Sequence, residues 1–212
     1  VLNGIDLERF SGIDDRVALR TTCEVPLDAP FIGMVGQFVP WKQHALFVET
    51  AARILQEEPT AYFLMAGCVL NRGDSRYRQR VSAMIDDAGM RERFSVLEPQ
   101  PDMVPVYQAL DVLIHPALHE PFGRVMVEAM ALEKAVVAVN QAGSAEVIRN
   151  EMDGVLVDVA SAEALAAATL RLVRNPRLRQ KLGRNARERV AQCFSIDRVA
   201  EQVRDVYEGL DA

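Results

Sequence analysis

Residues 111–132 carry the sequence DVLIHPALHEPFGRVMVEAMAL, which predicts a buried strand, a loop and an apolar helix in that order. The apolar run Val112 to Ile114 forms the strand, and Pro121-Phe122-Gly123 turns the chain before a helix over residues 123–132. The first amides of a helix have no internal partner, and the helix dipole favours negative charge there. This stretch therefore predicts a place where an anion docks.

Two glutamates flank that turn, and their spacing limits the chemistry. Eight residues of continuous helix would rise about 12 Å, so Glu120 and Glu128 are not an i,i+4 pair. The carboxylates of a retaining glycosidase lie only about 5 Å apart, and this spacing does not suggest such a pair. A ligand with hydroxyls at both ends and a diphosphate between them, such as a nucleotide-sugar, fits better. The alternative is that Glu128 is a buried, paired helix residue and Glu120 a solvated loop residue.

Outward from this stretch, six short apolar runs alternate with helical segments over residues 31–157. Unbroken apolar runs are typical of strands that are covered on both faces, so we expect a Rossmann-like α/β fold with a parallel six-stranded sheet and helices on both sides. Ligands of such sheets bind outside the carboxyl ends of the strands. The residues expected at that edge, together with Glu120 and Glu128, are Gly36, Gly67, Leu97, Glu98, His115 and Asn140.

The remaining segments predict a single domain over residues 1–212, with an α/β core at 31–157 and a helical extension at 161–212. Residues 1–30 are expected to be loop, and Asp74 is the expected N-cap of a helix over 74–88. Helices are expected at 161–174, 176–192 and 196–210, with Ser161 and Ser195 as caps. The chain starts at Val1 without a methionine, so we expect it to be a piece of something longer.

Composition limits the partners and the compartment. The formal net charge of −6 argues against a nucleic-acid partner, because such domains usually carry a basic face. The three cysteines lack zinc-site spacing and fit a reducing, cytoplasmic compartment. No apolar stretch reaches transmembrane length, so no direct membrane anchor is expected.

The loop from Gly36 and Gln37 to Lys42 is the second chemical feature, because it joins a strand to a helix and ends in a cation. Lys42 can offset the charge of a diphosphate, although a solvated lysine at a helix start is the alternative. The loop lacks the Gly-Lys-Ser/Thr ending of a P-loop, and no Gly-x-Gly-x-x-Gly supports nicotinamide or flavin binding. The histidines have no metal-site spacing: His115 is expected to pack at a strand end, and His119 is a candidate to face the site.

In combination, these motifs resemble the C-terminal half of the retaining glycosyltransferases of family four, which have the GT-B fold. The most specific part is Glu120 to Met130, with Phe-Gly inside a Glu-x7-Glu spacing. The other matching pieces are Asn3-Gly4-Ile5-Asp6, Gly36 through Lys42, His115-Pro116, Ala135 to Ala138, Gly143 with Glu146, Gly154 to Val157 and Phe194-Ser195.

The resemblance implies a function for the chain as a whole. It would be the donor-binding domain of a transferase that moves a sugar from a nucleotide-diphosphate sugar to an acceptor. The N-terminal acceptor domain is absent from this sequence, so we expect it to act as a partner in cis or in trans, and the isolated chain to be inactive. Any peripheral membrane association would come through that domain or the acceptor. No cofactor and no metal are expected, since the nucleotide-sugar is a substrate.

The resemblance also implies roles for single residues. Glu120 would hold the hydroxyls of the transferred sugar and Lys42 would neutralise the leaving phosphate, which makes these two the catalytic pair. Glu128 would hold the ribose hydroxyls. The remaining substrate-binding positions would be the Gly36-Gln37 loop, the amides of Phe122 and Gly123 on the sugar, those of Arg124 and Val125 on the diphosphate, and the backbone of Leu97 and Glu98 beside the base.

Two positions depart from the family pattern. The family usually has an arginine at the place of Gln37, so a second diphosphate charge is weakened or moved here. The family often has Gly-Gly where this chain has Ala142-Gly143, which puts a backbone contact at residue 142 in doubt. Two alternatives therefore stay open: a non-catalytic, degenerate module that binds nucleotide or a protein partner, and sugar–nucleotide chemistry without transfer, such as epimerisation.

Overall fold

The computed structural model describes residues 3–11, 16–98 and 100–210. Six parallel strands form one sheet in the order β3-β2-β1-β4-β5-β6. The bounds are β1 Phe31–Val35, β2 Tyr62–Ala66, β3 Phe94–Leu97, β4 Val112–His115, β5 Ala135–Val139 and β6 Val155–Val157. The predicted six-stranded parallel sheet is confirmed, and the strand order reverses between β1 and β4, where such sheets bind ligands.

Helices cover both faces of the sheet, as predicted. Their bounds are α1 Arg16–Thr22, α2 His44–Glu57, α3 Arg72–Asp87, α4 Val104–Ala109, α5 Arg124–Ala131, α6 Gly143–Val147, α7 Ala162–Val173, α8 Pro176–Cys193 and α9 Ile196–Leu210. Buried residues of α2, α3 and α7 form one apolar cluster against the sheet. Buried residues of α4, α5, α6 and α8 form a second cluster with the other faces of the strands. Every residue of β1, β4 and β5 is buried, which explains their unbroken apolar sequences.

The prediction of loop throughout residues 1–30 is wrong for residues 16–22, which form α1. This short helix is held by tertiary contacts rather than by its own propensity. The buried Arg20 donates to the carbonyls of Ala109 and Ala29 (both 2.9 Å) and pairs with Asp111 at 2.7 Å. Residues 1, 2 and 12–15 of that predicted loop, and residues 211 and 212 of the helical extension, lie outside the described residues.

The predicted caps of α7 and α9 are observed, whereas the predicted cap of α3 is not. Ser161 accepts from the amide of Ala164 at 3.2 Å and Ser195 from the amide of Arg198 at 3.3 Å, so both predicted caps are confirmed. The prediction that Asp74 caps α3 is wrong. Asn71 caps that helix by accepting from the amides of Gly73 and Asp74, while the Asp74 carboxylate is buried in the first turn.

Two close backbone contacts shape the carboxyl edge of the sheet. A Cβ on Gly67 would lie 1.8 Å from the carbonyl oxygen of Gly36, so only glycine allows the loops after β1 and β2 to approach. A Cβ on Gly143 would lie 2.6 Å from the Cα of Phe122, and the Gly143 amide donates to the Glu120 carbonyl at 2.9 Å. The start of α6 therefore fixes the loop that carries Glu120.

Within the described part of the chain, no helix combines the length and apolar character needed to cross a membrane.

Candidate functional site

The centre of the site is a buried ion pair between Lys42 and Glu120. Lys42 ends the 3-10 turn Pro40–Lys42 that follows β1, and Glu120 lies in the loop between β4 and α5. The Lys42 ammonium donates to Oε2 of Glu120 and lies 4.4 Å from the centroid of the Trp41 ring. Both side chains of the pair are buried. The alternative of a solvated lysine and a solvated loop glutamate is therefore wrong.

His115, at the end of β4, supports the same carboxylate. Its side chain is fully buried, and Nε2 lies 3.3 Å from Oε2 of Glu120 without the alignment of a hydrogen bond. Burial lowers the pKa of His115, so the imidazole is neutral near neutral pH. The expectation of a packing residue is thus incomplete, because His115 also lies against the charged end of Glu120.

The electrostatics of Glu120 decide what it can do chemically. Burial by itself raises the pKa of Glu120, but the contacts with His115 and Lys42 outweigh burial and lower the pKa to about 2. The carboxylate is therefore ionised at every physiological pH. It can accept hydrogen bonds from hydroxyls, but it does not suit the role of a proton donor.

The loop after Glu120 leads directly into α5. Phe122 is buried and packs edge-on against Phe194, with ring centroids 5.8 Å apart. Gly123 has φ +85° and stands immediately before Arg124, the first residue of the helix. The amides of the first turn, including those of Arg124 and Val125, thus lie at the edge where the chain also presents Glu120. His119 is exposed on this loop, with φ +59°.

Glu128 lies in α5 with both carboxylate oxygens engaged. Oε2 accepts from the phenol of Tyr107 at 2.7 Å, and Oε1 accepts from Nε of Arg124 at 2.8 Å. Burial and then the charge of Glu128 raise the pKa of Tyr107 well above its usual value, so the phenol stays a donor. Glu128 is therefore a paired residue of low exposure, as the structural alternative predicts, and it also stands beside the predicted anion site.

The side chain of Gln37 is held by Asp74, the residue that the sequence predicts as the N-cap of α3. Nε2 of Gln37 donates to Oδ2 of the buried Asp74 at 2.9 Å, and the amide of Leu70 donates to the same oxygen at 3.2 Å. An amide side chain in this position neutralises neither Asp74 nor a ligand phosphate. Gln37, in place of the arginine usual in the family, therefore brings no positive charge here and is held by Asp74.

The expected base-binding segment lies at the end of β3. Glu98 is exposed and pairs with Arg78 of α3 at 2.6 Å. The Arg78 guanidinium carbon lies 5.3 Å from the centroid of Phe38, in the loop after β1. Arg78 thus joins the Gly36-Gln37 loop to the segment of Leu97 and Glu98.

The structure places the sequence-predicted site residues at or just after the carboxyl ends of the strands, in the first turn of α5 or, for Glu128, one turn into that helix. Three functional neighbours were missed: Tyr107 behind Glu128, the contact of His115 with Glu120, and Asp74 behind Gln37. Tyr107 and Asp74 are 21 and 37 residues from their partners, so no local pattern marks those contacts. His115 was expected at the same edge as Glu120, but only as a packing residue.

Comparisons with known proteins identify the family of the chain. The family model described as glycosyl transferases group 1 matches residues 18–189. The chain belongs to this family. It is 32% identical over 96% of its length to a D-inositol 3-phosphate glycosyltransferase of Saccharomonospora viridis, of which it covers 48%. It is 28% identical over 92% of its length to the lipopolysaccharide core biosynthesis glycosyltransferase LpsE of Rhizobium meliloti, of which it covers 55%.

Solved structures share the same architecture. Sucrose-phosphate synthase of Thermosynechococcus elongatus has a TM-score of 0.85 at 30% identity, over 98% of this chain and 51% of that one. HepE of Anabaena, in a complex with UDP and glucose, has a TM-score of 0.89 at 24% identity, over 97% of this chain and 55% of that one. The predicted Rossmann-like half of a GT-B fold is thereby confirmed. The chain spans about half the length of the curated relatives that it matches.

Proposed function

We propose that this glycosyl transferases group 1 chain is the donor-binding half of a retaining glycosyltransferase that uses a nucleotide-diphosphate sugar. The observation that carries the proposal is the buried Lys42–Glu120 pair beside the first turn of α5. An ionised acceptor and a cation lie side by side at the ligand-binding edge of the sheet. A sugar phosphate needs both, because it presents hydroxyl donors and phosphate oxygens within a few ångströms.

In this proposal each residue of the ion pair binds a different part of the donor. Glu120 accepts hydrogen bonds from the transferred sugar, and Lys42 neutralises the phosphate that leaves. The amides of Arg124 and Val125 contact the diphosphate at the start of α5. Glu128 accepts from the ribose hydroxyls. The lysine and the helix amides supply the positive charge, and the proposal includes no resident metal or cofactor.

The comparisons support a nucleotide-sugar donor indirectly. The Saccharomonospora viridis relative is a glycosyltransferase by name, and the HepE structures with the same fold contain UDP, glucose or UDP-glucose. We propose that the site recognises the diphosphate and the ribose, which all such donors have in common. The base and the sugar are varied in the experiment below.

The acceptor is proposed to bind a second, N-terminal half that packs on α9. This helix exposes Val206 and Tyr207 at 54% and 66% of their surface, with Ile196 and Val203 also open. Apolar side chains of this size on one helix favour burial against another surface. Because the chain covers about half of its relatives, the missing half is the proposed occupant, and the isolated chain is proposed to bind donor with little transfer.

Isothermal titration of the isolated chain with UDP, GDP, ADP and their glucose conjugates tests the donor site. We expect one nucleoside diphosphate to bind. Glu128→Gln should weaken the nucleotide and its sugar conjugate alike, whereas Glu120→Gln should remove the preference for the conjugate. Glu201→Gln, in the exposed pair with Arg198 outside the site, is the matched control. No heat with any of these ligands at millimolar concentration would overturn the proposal.

A non-catalytic module is the second candidate, and the Gln37–Asp74 hydrogen bond favours it. A site that has exchanged a phosphate-binding cation for a neutral amide could retain binding without turnover. Glu120→Gln in the full-length protein separates the two. Loss of transfer with folding intact supports catalysis, and unchanged function supports the module. Product formed without any acceptor would instead indicate sugar–nucleotide chemistry such as epimerisation.

A further inference from the structure

We propose that Arg124 is a donor-binding cation that changes partner when the nucleotide binds. In the structure it pairs with Glu128, and in the proposed complex it pairs with the diphosphate while ribose occupies Glu128. The inference rests on the proposed function of this site. It assigns to the Arg124 side chain a role separate from that of its backbone amide.

The first step concerns the carboxylate of Glu128, which has a protein partner on each oxygen. Tyr107 on Oε2 is fully buried, and moving its phenol would require repacking of α4 against the core. Arg124 on Oε1 is 67% exposed and held by one i,i+4 contact. An exposed i,i+4 pair of this kind is weak. A ribose hydroxyl that reaches Glu128 therefore displaces Arg124 and leaves Tyr107 in place.

The second step concerns where the displaced guanidinium can go. Arg124 is the first residue of α5, and its side chain now lies one turn along the helix, about 5.4 Å from the first amides. Rotation of the exposed side chain towards the N-terminus brings the guanidinium to the place where the helix amides attract a phosphate. The planar guanidinium can then donate to phosphate oxygens in a bidentate manner.

The third step is the charge balance of the cleft. A donor diphosphate carries a negative charge on each phosphate, whereas Lys42 supplies a single positive charge. Gln37 is neutral, and the buried Asp74 holds its amide. Arg124, at the start of α5, supplies the additional cation. In this arrangement the ribose hydroxyls displace Arg124 from Glu128, and the freed guanidinium binds the diphosphate of the same ligand.

The test compares a nucleoside with its diphosphate on the wild type, Arg124→Gln and Arg124→Lys. Titration gives the affinity of the best-binding nucleoside diphosphate, and competition gives that of the matching nucleoside. Arg124→Gln should weaken the diphosphate about tenfold, as loss of a charged hydrogen bond implies, and Arg124→Lys should restore part of the loss. Nucleoside affinity should stay equal or rise, because Glu128 is no longer occupied. The salt dependence of diphosphate binding should become less steep.

Several outcomes would overturn the exchange. An equal loss for nucleoside and diphosphate would mean that Arg124 only orders Glu128, and unchanged affinities would mean that it contacts neither. Arg198→Gln, which removes an exposed arginine from an ion pair on α9, is the control and should change neither affinity. If the wild type binds no nucleotide, the proposed function fails and the exchange fails with it. Tight wild-type binding without a selective Arg124 effect overturns the exchange alone.

Discussion

Replacing Glu120 by glutamine tests the electrostatics of the site without any ligand. The substitution keeps the size of the side chain and removes its charge. Lys42 then stays buried beside a neutral amide, with the Trp41 ring and neutral His115 as its other neighbours. Removing one partner of a buried pair is costly because the other charge remains uncompensated. We therefore expect Glu120→Gln to destabilise the free chain.

The magnitude follows from the pKa of Glu120. A carboxyl with an ordinary pKa of 4.5 in the unfolded chain and of about 2 in the folded chain contributes about 3 kcal/mol at pH 7. The folded pKa is the lower of the two, so this contribution is complete above pH 4.5 and is lost as pH falls towards 2. At pH 3 about 1 kcal/mol should remain. Side-chain relaxation around Lys42 reduces the measured effect at pH 7 to about 2–3 kcal/mol.

Urea unfolding of both proteins at pH 7 and pH 3 measures the effect. Lys42→Met and the double variant complete a cycle that isolates the coupling between Lys42 and Glu120. The double variant should be less destabilised than the sum of the single variants, because neither charge is then left alone. Glu201→Gln serves as the control on an exposed pair and should change the free energy of unfolding by less than about 0.5 kcal/mol.

Three results would refute the reasoning. An effect of Glu120→Gln no larger than that of the exposed control would mean that the pair contributes nothing measurable. An effect that is as large at pH 3 as at pH 7 would mean that packing, rather than the ionised carboxylate, holds the loop. Additivity in the double variant would also contradict a direct interaction.

Three further predictions concern neighbours of the site. Tyr107→Phe should lower the free energy of unfolding by about 1–2 kcal/mol in urea titration, because it removes the donor to Glu128 at 2.7 Å; no change would contradict that bond. Ala142→Gly should stabilise by about 0.5–1 kcal/mol, since Ala142 has φ +43° and ψ −128°; a lower urea midpoint would show that the conformation is unstrained. Burial lowers the pKa of His44 to about 4, so the unfolded chain binds a proton more readily than the folded chain as pH falls. The free energy of unfolding of the wild type should therefore fall by on the order of 3 kcal/mol between pH 7 and pH 4, and that of His44→Gln should not show this loss. Equal pH profiles of the two proteins in urea unfolding would refute this.

The strands were predictable because burial on both faces leaves a strong mark in the sequence. Runs such as Phe31 to Val35 and Ala135 to Val139 contain no polar residue, and the structure buries each residue of both. Helix α1 left no such mark. It is held by Arg20, which contacts the Ala109 carbonyl and Asp111 about ninety residues away, and no local pattern encodes contacts of that range.

Candidate site residues could be predicted where they lie on one continuous segment of the sequence. They could not be predicted where they depend on contact between two separate elements. Glu120, Gly123 and Glu128 share a strand–loop–helix segment, so their order alone indicates an anion site. The pairing of Tyr107 with Glu128 depends on the packing of α4 against α5. Asn71 was missed as the cap of α3 because aspartate is itself a common cap residue, which made Asp74 the candidate. Asp74 instead lies in the first turn, and only the fold brings its carboxylate to Gln37.

The charged side chains at the site neutralise one another in two pairs, and this has a consequence for selectivity. Lys42 engages Glu120, and Arg124 engages Glu128. A simple anion that binds Lys42 must separate it from Glu120 and leave that carboxylate without its ammonium donor, which is costly in a buried setting. In the proposed function, a nucleotide-sugar would replace both partners at once, because its hydroxyls would bind the carboxylates while its phosphates bind the cations. The paired state should therefore discriminate against inorganic phosphate and in favour of nucleotides, with the larger part of that preference carried by the buried pair of Lys42 and Glu120.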